Sequence, residues 1–422
     1  MEEHIPRSLN MDTQAVATDI VRTLVSAGYK AYFAGGWVRD HLMGHPSEDI
    51  DIATDAPPEK ILDLFPRTLL VGLAFGIVIV VVNNHQFEIA TFRRDIDYID
   101  GRKPTKIELA TPQEDASRRD FTINGLFYDP IEHVIYDFVH GADDIKHKVI
   151  RAIGNPDERF VEDRLRMIRA IRFAARFDFT ISPETQTAII ASADTLFPAV
   201  AMERVWQEIT KMAKYPRFDT AIIEMHRMGL LPVIFPELQG VHLHEIKGRV
   251  AGFPSFSQQV EPILSVMQLF PKVTVDKVKE ICVYLRTSNE EAMLADFFVS
   301  MRNCIESEHT LGVVDLCAWV HNYAHSHAKK CLQIIATSVP LHERELFLQR
   351  HQERMDKLQW HIQRVVEKKP LINAAVLIAQ GISPGKQMGL LIKEGERLAI
   401  LHDLNSADQV LTLLKQCHLW LH

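Results

Sequence analysis

The stretch GGWVRDHLMGHPSEDIDIAT, residues 35–54, decides the fold. Its last six residues, DIDIAT, alternate acidic and branched apolar side chains with the period of a strand. Asp49 and Asp51 therefore face one way, while Ile50 and Ile52 face the other way into a core. Its first two residues, Gly35 and Gly36, close the strand-like run KAYFA (30–34) and open the helical pattern WVRDHLMG. Bare backbone between a strand and a helix can approach a phosphate, and Arg39, one turn into that helix, can reach a triphosphate.

Outward from this unit the alternation continues. FGIVIVVV (75–82) meets QFEIATF (86–92) across an Asn-Asn-His turn, and MDTQAVATDIVRTLVSAG (11–28) and PPEKILDLF (57–65) have helical periodicity. Between Phe92 and Arg118 the chain turns polar, and a mobile loop centred on DGRKP (100–104) with one short strand, KIEL, is expected. After residue 155 nearly every segment reads as helix. The expected fold is an α/β head with a mixed β-sheet and flanking helices, followed by an all-α remainder. The boundaries drawn are a head at 1–150, a helical neck at 151–240, and a helical body and tail at 241–422.

The chain has 422 residues, 47% of them hydrophobic, and a formal charge of −8, so a polyanion has to meet a local patch rather than bulk positive charge. The densest patch is DERFVEDRLRMIRAIRFAARF (157–177), where six arginines outnumber four acids. The five cysteines form no CxxC pair, which argues against a zinc site. No apolar run has membrane length and MEEHIPRSLN does not resemble a secretory signal, so a cytoplasmic location without membrane contact is expected.

Two carboxylates on one strand face attract a divalent cation. Magnesium keeps waters and substrate phosphates in its shell, which suits phosphoryl or nucleotidyl transfer. Glu88, on the neighbouring strand, either completes the carboxylate cluster and acts as a base toward an attacking hydroxyl or is a solvent-facing glutamate. A bare DxD is also the pattern of an exposed strand edge. The glycine pair and Arg39 close by in sequence favour the metal reading.

GGWVRDHLMGHPSEDIDIAT, EIATFRRDIDYIDGRKP, EDASRRDFTINGLFYD and ERFVEDRLRMIRAIRFAARF together resemble the class II nucleotidyltransferases, the family of bacterial CCA-adding enzymes and poly(A) polymerases. The resemblance runs in order from about residue 30 to 240 and includes ERVWQEITKM (203–212) and GLLPVIFPEL (229–238). It implies a nucleotidyltransferase palm with Asp49 and Asp51 as metal-binding, catalytic aspartates. Gly35, Gly36 and Arg39 are placed at the triphosphate, and Arg118, Arg119, Asp120 and Asn124 in a ribose-recognition motif. Asp163 and Arg166 become a base-reading pair, with Arg169 and Arg172 continuing a basic stripe for phosphates. Gly125 departs from the family's commoner alanine, a change expected to affect helix stability alone.

The chemistry of the base-reading pair is legible by itself. A carboxylate accepts from an exocyclic amine and a guanidinium donates to a ring acceptor, so CTP and ATP fit while UTP and GTP do not. The expected activity is addition of CMP and AMP to the 3′ end of tRNA with Mg²⁺, and the expected partners are tRNA, CTP and ATP. The alternatives within the family are terminal A addition and poly(A) synthesis. VGLAFGIVIVVV and the tail segment INAAVLIAQGISPGKQMGLLIKEGERLAI (372–400) favour CCA addition. Outside the family, the alternatives are a non-catalytic RNA-binding protein on the same fold and a sugar or antibiotic nucleotidyltransferase. No protein partner is inferred.

Overall fold

A computed structural model describes residues 13–45, 47–69, 76–98, 104–256 and 259–420. The chain divides into two compact units, Met1–Lys247 and Gly248–His422. The first unit joins the α/β head to the helices expected as a neck.

The head is built from α1 (Thr13–Ser26), β1 (Ala31–Ala34), α2 (Gly36–Leu42), β2 (Asp51–Thr54), α3 (Pro58–Leu64), β3 (Thr68–Leu69), β4 (Ile77–Val82), β5 (His85–Thr91), β6 (Arg93–Tyr98), β7 (Pro104–Leu109), α4 (Pro112–Ser117), β8 (Leu126–Asp129) and β9 (Val134–Asp137). Seven strands form a mixed sheet in the order β3-β4-β5-β2-β1-β8-β9. β2 and β5 are parallel, with Ile52 opposite Ile89, and the other pairings are antiparallel. α1 buries Val16, Ile20 and Leu24 at helical spacing, and these join Phe33, Ile52, Val80, Phe87 and Ile89 in one core. Each such side chain contributes roughly 1.5–3 kcal/mol by leaving water.

The expected strand 49–54 begins two residues later, at Asp51. β1 ends at Ala34, opposite Asp51, so on that side no strand continues beside Asp49 and Ile50. The alternation still holds across them, since Ile50 is buried and Asp49 exposed. β4 and β5 turn through Asn83 and Asn84, both at positive φ, which asparagine tolerates.

The described residues between Phe92 and Arg118 carry more regular structure than expected. β6 and β7 form an antiparallel hairpin, with Arg93 opposite Leu109, and α4 follows behind a Thr111–Glu114 capping box. KIEL lies within β7, whereas DGRK of the expected loop centre lies outside the described residues, as does VGLAF at 71–75. β8 and β9 were not anticipated; the runs LFYD and VIYD are too short to show a period. Gly125 lies outside any α-helix, and a Cβ there would meet Val139 Cγ2 at 2.6 Å. Its lack of a side chain is therefore a packing requirement, which corrects the expectation that it bears on helix stability alone.

Beyond the head come α5 (Gly141–His147), α6 (Pro156–Glu162) and α7 (Leu165–Phe177), and helices prevail from there on. The end of the chain has its own core of Ile372, Leu377, Leu391, Ala399, Val410 and Leu414. Among the described residues no helix is long and apolar enough to cross a membrane.

Candidate active site

At the end of β1, Gly35 adopts φ 66° and ψ −125° and caps α2, a backbone that an L side chain would strain. A Cβ there would stand 3.0 Å from Nη1 of Arg119. The missing side chain thus lets a guanidinium lie against the strand end. Because Ala34 pairs with Asp51, this turn and the start of β2 lie side by side. Both open into a cavity of about 410 Å³ within the first unit.

Asp51 presents an exposed edge at the strand end, yet protein packed on its remaining sides, together with the charges of Glu88 and Asp49, raises its pKa to about 6; Arg119 offsets this in part. Burial and Asp49 likewise raise Glu88. The Asp49 and Glu88 charges act on Asp51, and among the described residues no ion pair compensates it. Among the described residues no group of three or more His, Cys, Asp or Glu is gathered tightly enough to hold a metal alone. Asp49 and Asp51 fit a hard cation whose shell is completed by phosphate oxygens and water, and excess negative charge is what such an ion relieves.

The opposite wall is arginine-rich, and here charge is balanced. Arg39 is 4% exposed. It donates to Asp40 at 2.8 Å and to Oδ1 of Asn124 at 2.6 Å, and its guanidinium lies over Phe177. Arg118 and Arg119 both clasp Asp115, whose burial opposes ionisation but whose carboxyl their charges hold below the usual range. Asp120 accepts from its neighbour's amide, from Asn124 Nδ2 at 3.1 Å and from Arg169 Nε at 2.9 Å. Burial would raise the pKa of Asp120, but Arg169 and Asn124 outweigh it and bring it down to about 2. A continuous chain of bonds, Arg39–Asn124–Asp120–Arg169, therefore joins α2 to α7.

Asp163 sits in the link between α6 and α7, where its Oδ1 accepts the Leu165 amide at 3.0 Å. Arg166 donates to Glu162 at 2.6 Å and to the Arg159 and Arg118 carbonyls. Asp163, Arg166 and Arg169 all line the cavity, with Phe173 among its apolar surfaces.

The structure brings Gly35, Gly36, Arg39, Asp51, Arg118, Arg119, Asp120, Asn124, Asp163, Arg166 and Arg169 to one cavity. Asp49 and Glu88 are coupled to Asp51 by charge and do not line the space. Arg172 departs from the expectation. It is buried, bonded to Glu208 at 2.6 Å, and outside the lining. Three-residue spacing carried it round α7 into the helix Met202–Ala213. Arg204, on that same helix, lines the cavity and was not singled out from the sequence. Its position in ERVWQEITKM, one of the resembling segments, was the available signal.

The poly(A) polymerase head domain matches residues 31–151, and the probable RNA- and SrmB-binding site of polymerase A matches residues 178–240. Two segments of the chain thus resemble the head and the RNA-binding region that these models describe. The chain is 40% identical over 243 residues to the CCA-adding enzyme of Bacillus subtilis, a match covering 57% of this chain and 60% of that enzyme. It is 42% identical over 211 residues to that of Levilactobacillus brevis, covering 50% and 51%. The matched stretch thus spans about half to three-fifths of these relatives' length. A solved CCA-adding enzyme of Bacillus stearothermophilus in complex with CTP has the same fold, with a TM-score of 0.76, 24% identity, and coverage of 96% and 99% of the two chains. One from Thermotoga maritima complexed with tRNA gives 0.66 and 20%, covering 95% and 94%. Both family models fall within the first unit, and the head model includes both Asp49 and Asp51.

Proposed function

We propose that this protein transfers CMP and AMP from CTP and ATP to the 3′-hydroxyl of tRNA, without a nucleic-acid template, in the cytoplasm. The observation that carries the reading is the two-sided cavity. One edge holds Asp51, on which Asp49 and Glu88 act by charge, the other a charge-balanced arginine wall that includes a carboxylate–guanidinium pair, and the space between them is about 410 Å³.

The 3′-oxygen of the RNA attacks the α-phosphorus, the bond to the bridging oxygen breaks, and pyrophosphate departs in line. Asp49 and Asp51 hold Mg²⁺, which when bound supplies neutralisation of charge on the attacking and leaving oxygens. Glu88, whose affinity for a proton is raised by burial and by Asp49, takes the proton of the attacking hydroxyl. Gly35 and Gly36 give the phosphates access to backbone. The Asp120-centred network fixes Arg169, Asn124 and Arg39 so that ribose and phosphate meet preset groups rather than mobile ones. Asp163 accepts the exocyclic amine of cytosine or adenine, and Arg166 donates to the ring acceptor beside it. The helical unit Gly248–His422 holds the remainder of the tRNA.

Relatives named as CCA-adding enzymes support CCA addition over poly(A) synthesis. The test is to incubate tRNA ending at the discriminator base with CTP and ATP, separately and together, and to sequence the product ends. CCA ends with both nucleotides, CC with CTP alone and none with ATP alone are expected. Long A tracts with ATP alone would replace this reading with the polymerase one.

A further inference from the structure

The carboxylate that reads the base is itself held by a distant residue. Arg204 places Nη2 2.9 Å from Oδ2 of Asp163 and Nη1 3.5 Å from Oδ1, a fork facing the carboxylate plane. We infer that Arg204 is a positioning residue that fixes the plane of the Asp163 carboxylate, and that it thereby sets which nucleotides are used; this rests on the base-reading role proposed above.

Lone-pair counting gives the first part of the argument. Each carboxylate oxygen has two acceptor sites. On Asp163, Oδ1 spends one on the Leu165 amide and Oδ2 one on Arg204, which leaves acceptor capacity for an incoming amine. Arg166 has five N–H donors. Three bonds, to Glu162, to the Arg159 carbonyl and to the Arg118 carbonyl, fix its plane, and Nε–H and one Nη2–H remain for a base.

The second part concerns orientation. A fixed carboxylate oxygen meets an exocyclic amine and repels O4 of uracil or O6 of guanine, whereas one free to turn does neither. The charged groups around Asp163 are Arg204 from the helix Met202–Ala213, Glu162 from α6, Arg166 and Arg169 from α7, and Arg118 and Asp120 from the facing wall. Arg166 is committed to Glu162 and Arg169 to Asp120, whereas Arg204 is committed to Asp163 itself. Arg204 is thus the side chain that fixes the plane of this carboxylate.

The experiment measures kcat and KM for CTP, ATP, UTP and GTP on tRNA lacking its 3′ end. It compares the parent with Asp163→Ala, Arg204→Met and Arg204→Lys. Arg204→Met is expected to raise UTP use relative to CTP by about tenfold or more, and Arg204→Lys to restore most of the discrimination. Equal loss of rate on all four nucleotides, or no recovery of discrimination in Arg204→Lys, would overturn the role of Arg204. If Arg204→Met does not fold, Arg204→Gln, which retains a donor without the charge, takes its place under the same criteria. If Asp163→Ala leaves the preference for CTP and ATP intact, the base-reading assignment fails; relaxed choice in Asp163→Ala with parental choice in Arg204→Met isolates the failure to Arg204.

Discussion

Asp51 and Asp120 line the same cavity in opposite electrostatic states. Crowding and two neighbouring carboxylates push Asp51 up to about 6, while Arg169 and Asn124 pull Asp120 down to about 2 despite its burial. The contrast separates two uses of a carboxylate. A group left without a counter-charge is ready for a cation that arrives with substrate, whereas a group fully paired within the protein holds other side chains in place. A sequence displays both simply as Asp.

If the contrast is right, the largest effect comes from removing the uncompensated member. Asp51→Ala should lower nucleotide incorporation by about a thousandfold or more, equivalent to about 4 kcal/mol of barrier, with tRNA affinity in a filter-binding assay nearly unchanged. Incorporation at the parent rate would refute the metal assignment.

Next in size is a pair wholly on the balanced side. Arg172→Met leaves Glu208 buried and without its main partner, so denaturant unfolding should report a loss of about 3–5 kcal/mol. KM for nucleotides should change little in whatever enzyme remains folded. A specific rise in KM would return Arg172 to the nucleotide site.

Asp120→Asn sharpens the comparison through pH. The folded-state pKa is depressed, so the stabilisation is present above the unfolded value of 3.8 and is lost as pH falls through about 2. Unfolding of parent and variant should differ by about 2 kcal/mol near neutrality and converge between about pH 4 and about pH 2. A gap that persists in acid would mean that packing, rather than charge, carries the effect.

The smallest effect is on the other aspartate, with the opposite sign. The raised pKa of Asp51 means that its ionised form is the costly one in the folded chain, so a divalent cation is bound well above about pH 6 and poorly below it. Thermal shift with Mg²⁺ or Mn²⁺ should be a few degrees near pH 8 and vanish near pH 5. An equal shift at both values would place the cation elsewhere.

Much of this site was readable because strand alternation is local. The exposed–buried alternation of Asp49, Ile50, Asp51 and Ile52 follows directly from a two-residue period, and Gly35 announces a backbone that other residues resist. The arginines were legible as a cluster but not as individuals. Periodicity carries Arg169 and Arg172 round the same helix without saying that one meets Asp120 and the other Glu208, 36 positions away. The Arg204–Asp163 pair spans 41 positions and left no local trace. The β6–β7 hairpin escaped for a different reason. It forms its own two-stranded sheet apart from the main one, so its strands need not show the apolar alternation that reveals β5.

The walls of the cavity come from positions as early as Gly35 and as late as Arg204, the latter on a helix that ends at Ala213. During synthesis, the pocket cannot close until that helix has left the ribosome, so a chain interrupted after the head alone would possess the Gly35 and Asp51 edge and lack the wall that Asp163, Arg166 and Arg204 supply.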